Sequence, residues 1–536
     1  MKNIALLDCT LRDGGYLVDK TFGESVIHSV TQGLAAAGLE IIEIGFLQDE
    51  GAGEGKTVYR SASDAEQYIP REKGETMYTV LADYSRYSIS LLEPYTGRSF
   101  DAVRACFFKK ERKEVLHFFR EIQEKGYRLF VQPVDVLGYT DRELLELLED
   151  VNQLEPFCFS IVDTFGSMYE EDLSRVFSLV HHNLAPASRI GFHSHNNLQM
   201  SSALSQKLIQ LAAGKRRVVI DGTLAGMGRG AGNLPTELIV QFLNSKCGCR
   251  YDLDCLLDLI DSEIGQMRAR AEWGYNTPYF IAGSFNAHVN NVSYLLKKNS
   301  VTSKGIRYVL NSLPEETRKR YDYALLERTY LDYLSFDVDD NDGFQRLRQA
   351  FMGRTVLMIA PGRSASEGKD AILEFISKEA PLVVSINYLL RDLPADYLYM
   401  SNLKRYRRWM HERHAESVPM IVTSNIQKDI ETEATVISLS RLMKCGWQHM
   451  DNSAILLLRL LDQLEVREIA VAGLDGYSYG GNYAETVMEN LKDHAVIREL
   501  NAEIESMLMD FRDTKRGGLD VHFLTESRFS HIFQRS

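Results

Sequence analysis

Two histidines two residues apart, His193 and His195, close a short apolar run. On a strand, side chains at i and i+2 point the same way, so both imidazoles would aim at one place. Two convergent imidazoles make a ready divalent-metal site. A lone His-x-His is more often an ordinary surface pair, so the remaining polar residues at the ends of apolar runs matter. Arg12 and Asp13 follow the first run, Glu43 lies in the second, and Asp163 ends a later one. Asn233 closes the glycine-rich stretch Gly226-Met227-Gly228-Arg229-Gly230-Ala231-Gly232-Asn233. Arg12 has two compatible readings. It pairs structurally with Glu43, and beside a metal-bound carbonyl it would stabilise developing enolate charge.

The elements that would position these residues repeat regularly. Strand-like runs occur at 4–8, 41–45, 76–81, 102–107, 128–132, 158–162, 189–193 and 217–221. Helix-period stretches lie between them, at 24–37, 113–125, 141–154, 170–182 and 198–213 among others. Eight strand–helix repeats in about 250 residues predict a (β/α)8 TIM barrel over residues 1–250. An open doubly wound sheet is the competitor, but no early glycine-rich dinucleotide loop supports it. Barrel chemistry sits at the carboxyl ends of strands, and in a closed barrel strand eight lies beside both seven and one. Asp13, His193, His195 and Asn233 can therefore converge. Two nitrogens, a carboxylate and an amide oxygen suit an octahedral Mn²⁺ or Mg²⁺, with Co²⁺ or Zn²⁺ as alternatives. Two open positions would accept a 2-oxo acid through adjacent oxygens. A metal and a cation around a ketone favour making or breaking the neighbouring carbon–carbon bond.

Asp8-Cys9-Thr10-Leu11-Arg12-Asp13-Gly14, Glu43, His193-Ser194-His195-Asn196 and Gly230-Ala231-Gly232-Asn233 occur in order across the barrel. This set resembles the metallolyase TIM-barrel superfamily, whose members include 4-hydroxy-2-oxovalerate aldolase, hydroxymethylglutaryl-CoA lyase and 2-isopropylmalate synthase. The overall look is nearest to the aldolases. The resemblance implies that Asp13, His193 and His195 bind the metal, with Asn233 completing the set. It implies that Arg12 steadies an enolate and that Glu43 is the third signature residue. It also places an extra helical domain near residues 279–294. The chain departs from the aldolases at Tyr16, where they carry a histidine general base. A tyrosine with a pKa near ~10 is a poor base at neutral pH. The base is therefore unassigned among Tyr16, Asp163 and His288, which could equally be a packing residue, a loop cap and a helix-surface residue.

Residues 251–345 read as a helical extension, with long helices expected over 251–272 and 315–333. The acidic stretch 337–343 reads as a boundary. Six further strands, at 355–360, 382–386, 397–400, 420–423, 435–439 and 468–472, predict a Rossmann-like open α/β domain over 350–536. Its loop Pro361–Gly368 would offer free N–H groups to an anion, a nucleotide or phosphosugar being the first guess. A tight turn explains the loop equally well.

A net charge of −13 argues against nucleic acid, and the Lys404–Arg408 cluster reads as a solvated helix face. The seven scattered cysteines predict no disulfide framework, and Cys247, Cys249 and Cys255 lack the partners of a zinc site. No apolar run reaches the ~18 residues that cross a bilayer, nor is the N-terminus a signal peptide. The expectation is a cytoplasmic, divalent-metal-dependent carbon–carbon lyase acting on a small 2-oxo acid and an aldehyde. A homo-oligomer is compatible with it. The alternatives are an acyl-CoA condensing enzyme, or a weakened barrel whose C-terminal module binds a nucleotide sugar.

Overall fold

A computed structural model describes residues 3–298, 301–334, 338–411, 418–429, 433–444, 446–447, 452–480, 483–484 and 493–534. It divides into two compact units. The first comprises Met1–Val292 with Pro314–Tyr321, and the second Ser293–Leu313 with Asp322–Ser536.

Nine parallel strands make the first sheet. They are β1 (Ile4–Asp8), β2 (Ile41–Leu47), β3 (Val58–Tyr59), β4 (Met77–Asp83), β5 (Ala102–Phe107), β6 (Arg128–Pro133), β7 (Cys158–Asp163), β8 (Arg189–Ser194) and β9 (Val218–Gly222). β1 pairs with β9 on one side and β2 on the other, which closes an eight-strand barrel, and the short β3 hangs on β2. The helices between strands alternate in the expected way, so the first unit is a TIM barrel. β3 was not foreseen because two residues carry no periodicity.

Strand parity explains what fills the lumen. Ala5, Leu7, Ile41, Ala102, Phe130, Cys158 and Val219 pack into one apolar layer. Two residues further along their strands stand Glu43, Arg104, Gln132, Ser160 and Asp221. Side chains two apart on a strand share a face. The same closed lumen is therefore apolar below and polar at the carboxyl end. The lumen is full: a Cβ on Gly191 would lie 2.4 Å from Ser160 Oγ.

Two expected helices are broken. The 251–272 helix ends at Arg268 and contains a π turn over Ile260–Ile264. The 315–333 helix is two helices, Glu315–Arg318 and Tyr323–Leu334. The carbonyls of Arg318 and Arg320 turn to Asn291 Nδ2, at 2.8 Å each, instead of continuing the ladder. Asp322 then starts the next helix, accepting from Leu325 N–H at 3.1 Å. Periodicity alone does not register a distant side chain that takes the carbonyls.

The second sheet is open and wholly parallel. Its strands are β10 (Thr355–Ile359), β11 (Leu382–Ile386), β12 (Tyr397–Met400), β13 (Met420–Thr423), β14 (Ala434–Ile437), β15 (Glu468–Ala472) and β16 (Asp520–Phe523). Their order is β14-β13-β12-β11-β10-β15-β16, a Rossmann-like arrangement with its switch point between β10 and β15. β16 is half-exposed and polar, so it left no apolar run to recognise. The acidic stretch 338–343 is no free linker. Arg441 binds Asp340 through Nη2 at 2.6 Å and Nε at 3.0 Å, beside the helix Asn341–Phe351. Asp337 lies outside the described residues, as does Cys445.

The expected anion loop at the switch point is already filled. Ser364 N–H donates to Asp475 Oδ2 at 2.8 Å, Ser364 Oγ donates to the other oxygen, and Gly362 N–H donates to Gly473 O at 2.9 Å. A carboxylate occupies the donors that an anion would need, so the loop is the tight-turn alternative. In the 403–411 helix, Leu403 and Tyr406 are buried among the basic residues. Among the described residues, no helix is long and apolar enough to cross a membrane.

Candidate metal centre

The first loop is pinned before its side chains act. Cys9 N–H donates to Gly222 O at 2.8 Å, Thr10 N–H to Asp8 Oδ1 at 2.8 Å, and Thr236 Oγ to Asp8 Oδ2 at 2.6 Å. Leu224 N–H closes onto Thr10 Oγ at 2.8 Å. The short helix Thr10–Asp13 is thereby held against the loop after β9, with Arg12 and Asp13 both buried.

His193 from the end of β8, and His195 just beyond it, meet Asp13. His193 Nε2 lies 3.4 Å and His195 Nε2 3.7 Å from Asp13 Oδ2. One ligand atom from each residue lies within 4.8 Å of the others. Both Asp13 oxygens and Asn233 Oδ1 are buried and accept no hydrogen bond. Asn233 pairs with His195 in an antiparallel bridge and donates from Nδ2 to Met227 O at 3.1 Å. Buried acceptors without donors are costly unless something else meets them. Orphaned oxygens beside two imidazole nitrogens suit a divalent cation. Cys247, Cys249 and Cys255 make no metal-capable group among the described residues.

A ring of charge stands around this cluster. Arg12 reaches Asp13 at 3.2 Å and Glu43 at 2.7 Å. Arg104 reaches Glu43 at 2.9 Å and pairs with Asp221. Asp221 meets His193 Nδ1 at 3.1 Å, and His193 returns to Asp13. With Gln132 turned so that its amide oxygen faces Arg104, that oxygen accepts from Nη2 at 2.9 Å and Nε at 3.0 Å. Three carboxylates face two guanidiniums, so the ring carries one excess negative charge when His193 is neutral. Arg104 and Asp221 are neighbours of the cluster that the motif reading missed. Their signal was an arginine inside the apolar run of β5 and an acid near the end of β9.

The surroundings shift the ionisations. Burial would raise Asp13, but Arg12 and then the histidines hold it well below the usual carboxylate range. Asp221 is lowered in the same way, burial being outweighed by Arg104 and His193. Burial pulls His195 down to about 3, which keeps it in the neutral form that ligates metals. Burial also lowers His193, but the Asp13 and Asp221 carboxylates beside it reverse the sign and raise it.

The three candidate bases lie in different settings. Tyr16 packs edge-on to Phe46, with ring centroids 5.3 Å apart, and burial raises its pKa. Asp163 spends its carboxylate on Ser167 N–H at 2.9 Å, Ser194 Oγ at 3.3 Å and Met168 N–H at 3.4 Å, and burial raises it to about 6. His288 accepts from Asn290 N–H at its Nδ1, at 3.1 Å, and burial followed by the Arg229 charge lowers it to about 3.

Residues 3–261 match the HMGL-like family. Oxaloacetate decarboxylase of Mycobacterium tuberculosis is 28% identical over 262 residues, 48% of this chain and 76% of that protein. 4-Hydroxy-2-oxovalerate aldolase of Stutzerimonas stutzeri is 28% identical over 252 residues, 45% of this chain and 68% of that protein. The crystal structure of Bacillus subtilis HMG-CoA lyase aligns with a TM-score of 0.37 at 20% identity, covering 49% of this chain and 93% of that one. Over residues 3–261, then, this barrel is similar to the HMGL-like family.

Proposed function

We propose that the barrel is a divalent-metal-dependent carbon–carbon lyase of the cytoplasm that splits a 4-hydroxy-2-oxo acid into pyruvate and an aldehyde, or joins them. The observation that carries this reading is the Asp13–His193–His195 cluster, in which the buried Asp13 oxygens accept no hydrogen bond among the described residues. Asp13, His193 and His195 would hold the metal, with Asn233 Oδ1 beside them, and Mn²⁺ or Mg²⁺ suits the mixed oxygen and nitrogen donors. When bound, the metal supplies Lewis-acid polarisation of the 2-oxo group.

The chain's own groups do the rest. Arg12 is held by Glu43 at 2.7 Å, so its guanidinium meets developing enolate charge without reorganising. Asp221 orients His193 through Nδ1. Tyr16, raised by burial, keeps its proton at neutral pH and donates to a substrate oxygen. In cleavage the C4 hydroxyl gives its proton to solvent water, and the O–H electron pair forms the aldehyde C=O. The C3–C4 pair stays on C3 as the pyruvate enolate, which then takes a proton.

Decarboxylation of a 2-oxo diacid is the second reading, favoured by the likeness to a relative named oxaloacetate decarboxylase. Carbon dioxide release from oxaloacetate separates it from aldehyde release. The first test is exchange of pyruvate methyl protons in D₂O with Mn²⁺, followed by NMR. Wild type exchanges, and Asp13→Asn loses the exchange by on the order of 1000-fold, more than an outer-shell change would cost. Metal-independent exchange, or exchange kept by Asp13→Asn, overturns the reading.

A further inference from the structure

Arg229 is the one residue of the barrel's glycine-rich loop with a long charged side chain. Its backbone is tied down. Gly232 N–H donates to Arg229 O at 3.1 Å, Asn233 N–H to Gly226 O at 3.1 Å, and Ala231 N–H to Asn197 Oδ1 at 2.9 Å. Gly232 has φ +82°, and a Cβ there would strike Gly226 O at 2.0 Å, so the turn admits only glycine. Trp273 Nε1 donates to Ala225 O at 2.9 Å and braces the start of the loop.

The side chain is treated differently from the other arginines of the mouth. Arg12 and Arg104 are both spent on carboxylates. The Arg229 guanidinium instead lies 3.9 Å over the Tyr16 ring, half-buried. Among the described residues its side chain makes no hydrogen bond and no ion pair. Stacking on Tyr16 offsets part of the cost of a partly dehydrated cation but leaves its N–H donors unspent. The charges of Arg229, Arg12 and Asp13 all act on Tyr16, and that of Arg229 acts on His195 as well, so the cation stands near the cluster rather than on a remote face.

We propose that Arg229, seated on Tyr16, is a carboxylate subsite, so that the fragment released as the aldehyde carries its own carboxylate. This rests on the reading above. The guanidinium fork matches a planar carboxylate. One cation matches one negative charge better than a phosphate dianion. The donor's own carboxylate belongs beside the metal ligands, chelating with the neighbouring ketone. The carboxylate at Arg229 is also not the group lost as carbon dioxide. A cation there would stabilise the charge that decarboxylation removes and would slow that step. The subsite therefore favours aldol cleavage, in which the carboxylate survives in the aldehyde product.

The test is binding, measured by calorimetry on the full chain with Mn²⁺. The probes are 2-oxoglutarate against 2-oxopentanoate, and 2-oxoadipate against 2-oxohexanoate; each pair differs by a carboxylate in place of a methyl. Wild type prefers the diacid in at least one pair by roughly 10- to 100-fold. In Arg229→Met the two affinities converge, and Arg229→Lys keeps part of the preference. Equal binding of both partners in both pairs by wild type overturns the subsite while leaving the lyase reading intact. Equal weakening of diacid and monoacid in Arg229→Met also overturns it, since Arg229 would then serve the shared 2-oxo end. If Mn²⁺ binds but none of the four acids does, the lyase reading fails and takes the subsite with it. The wild-type comparison decides the matter even where Arg229→Met does not fold.

Discussion

The mouth of the barrel and the switch point of the second sheet are the places where their folds usually keep chemistry. Each is a loop at the carboxyl end of parallel strands, and each holds a carboxylate, buried for Asp13 and half-buried for Asp475. At the switch point Asp475 is consumed by Ser364 N–H and Oγ. At the barrel mouth, among the described residues, neither oxygen of Asp13 accepts a hydrogen bond, and Asn233 Oδ1 shares that state. The same sequence style thus yields a closed turn in one unit and an open ligand set in the other. What separates them is whether the polar atoms satisfy one another, which is a property of tertiary neighbours.

The sharpest way to break this contrast is to remove one link of the ring. Arg104→Met leaves Glu43 and Asp221 buried without their shared cation. It costs about 3–5 kcal/mol of stability in a denaturant titration. A loss below ~1 kcal/mol, the worth of an exposed pair, would mean that the ring is hydrated and that the contrast in satisfaction is false. Asp221→Asn is milder. It removes the partner of His193 Nδ1 and lowers Mn²⁺ affinity by roughly 10- to 100-fold. Unchanged affinity would show that Asp221 serves Arg104 alone.

Asp475→Asn probes the other side. It costs about 1–2 kcal/mol, the price of weakened hydrogen bonds, and leaves Mn²⁺ affinity and pyruvate exchange unchanged. Stabilisation of the wild-type chain by millimolar pyrophosphate would show that the switch point is open after all.

The last effect concerns pH. Asp163 has a folded pKa of about 6, above the ordinary ~3.9 of an unfolded aspartate. Between those values the folded state holds more protons, so this group's contribution falls as pH rises. Stability of wild type relative to Asp163→Asn therefore increases as pH drops from 7 to 4, by up to ~2–3 kcal/mol. If Asp163 is a loop cap, pyruvate exchange in the variant stays within about threefold of wild type. A much larger loss would return it to the role of base.

The closing residues of the chain's strands show how far the sequence could be read. Eight apolar runs with helices between them were legible because strand and helix periods differ, and their number selected the barrel over the open sheet. Asp13, His193 and His195 were legible because residues at strand ends and at i, i+2 spacing have only one place to go once the barrel closes. β16 and the break at 319–322 were not, because polar edge strands and carbonyls capped by Asn291 leave no periodic trace. Arg104 and Asp221 needed the lumen itself. A residue's type says that it is charged, but only the closed register says that it faces its counter-ion across the barrel.

By itself, then, the sequence determined the fold class, the order of the elements and the ends at which chemistry gathers, because these follow from local periodicity and strand parity. Tertiary structure decided which polar atoms remain unsatisfied at those ends. Among the described residues that left Asp13 and Asn233 open, Asp475 closed and Arg229 on Tyr16 without a carboxylate partner, because hydrogen-bond and ion-pair partners come from strands far apart in the chain.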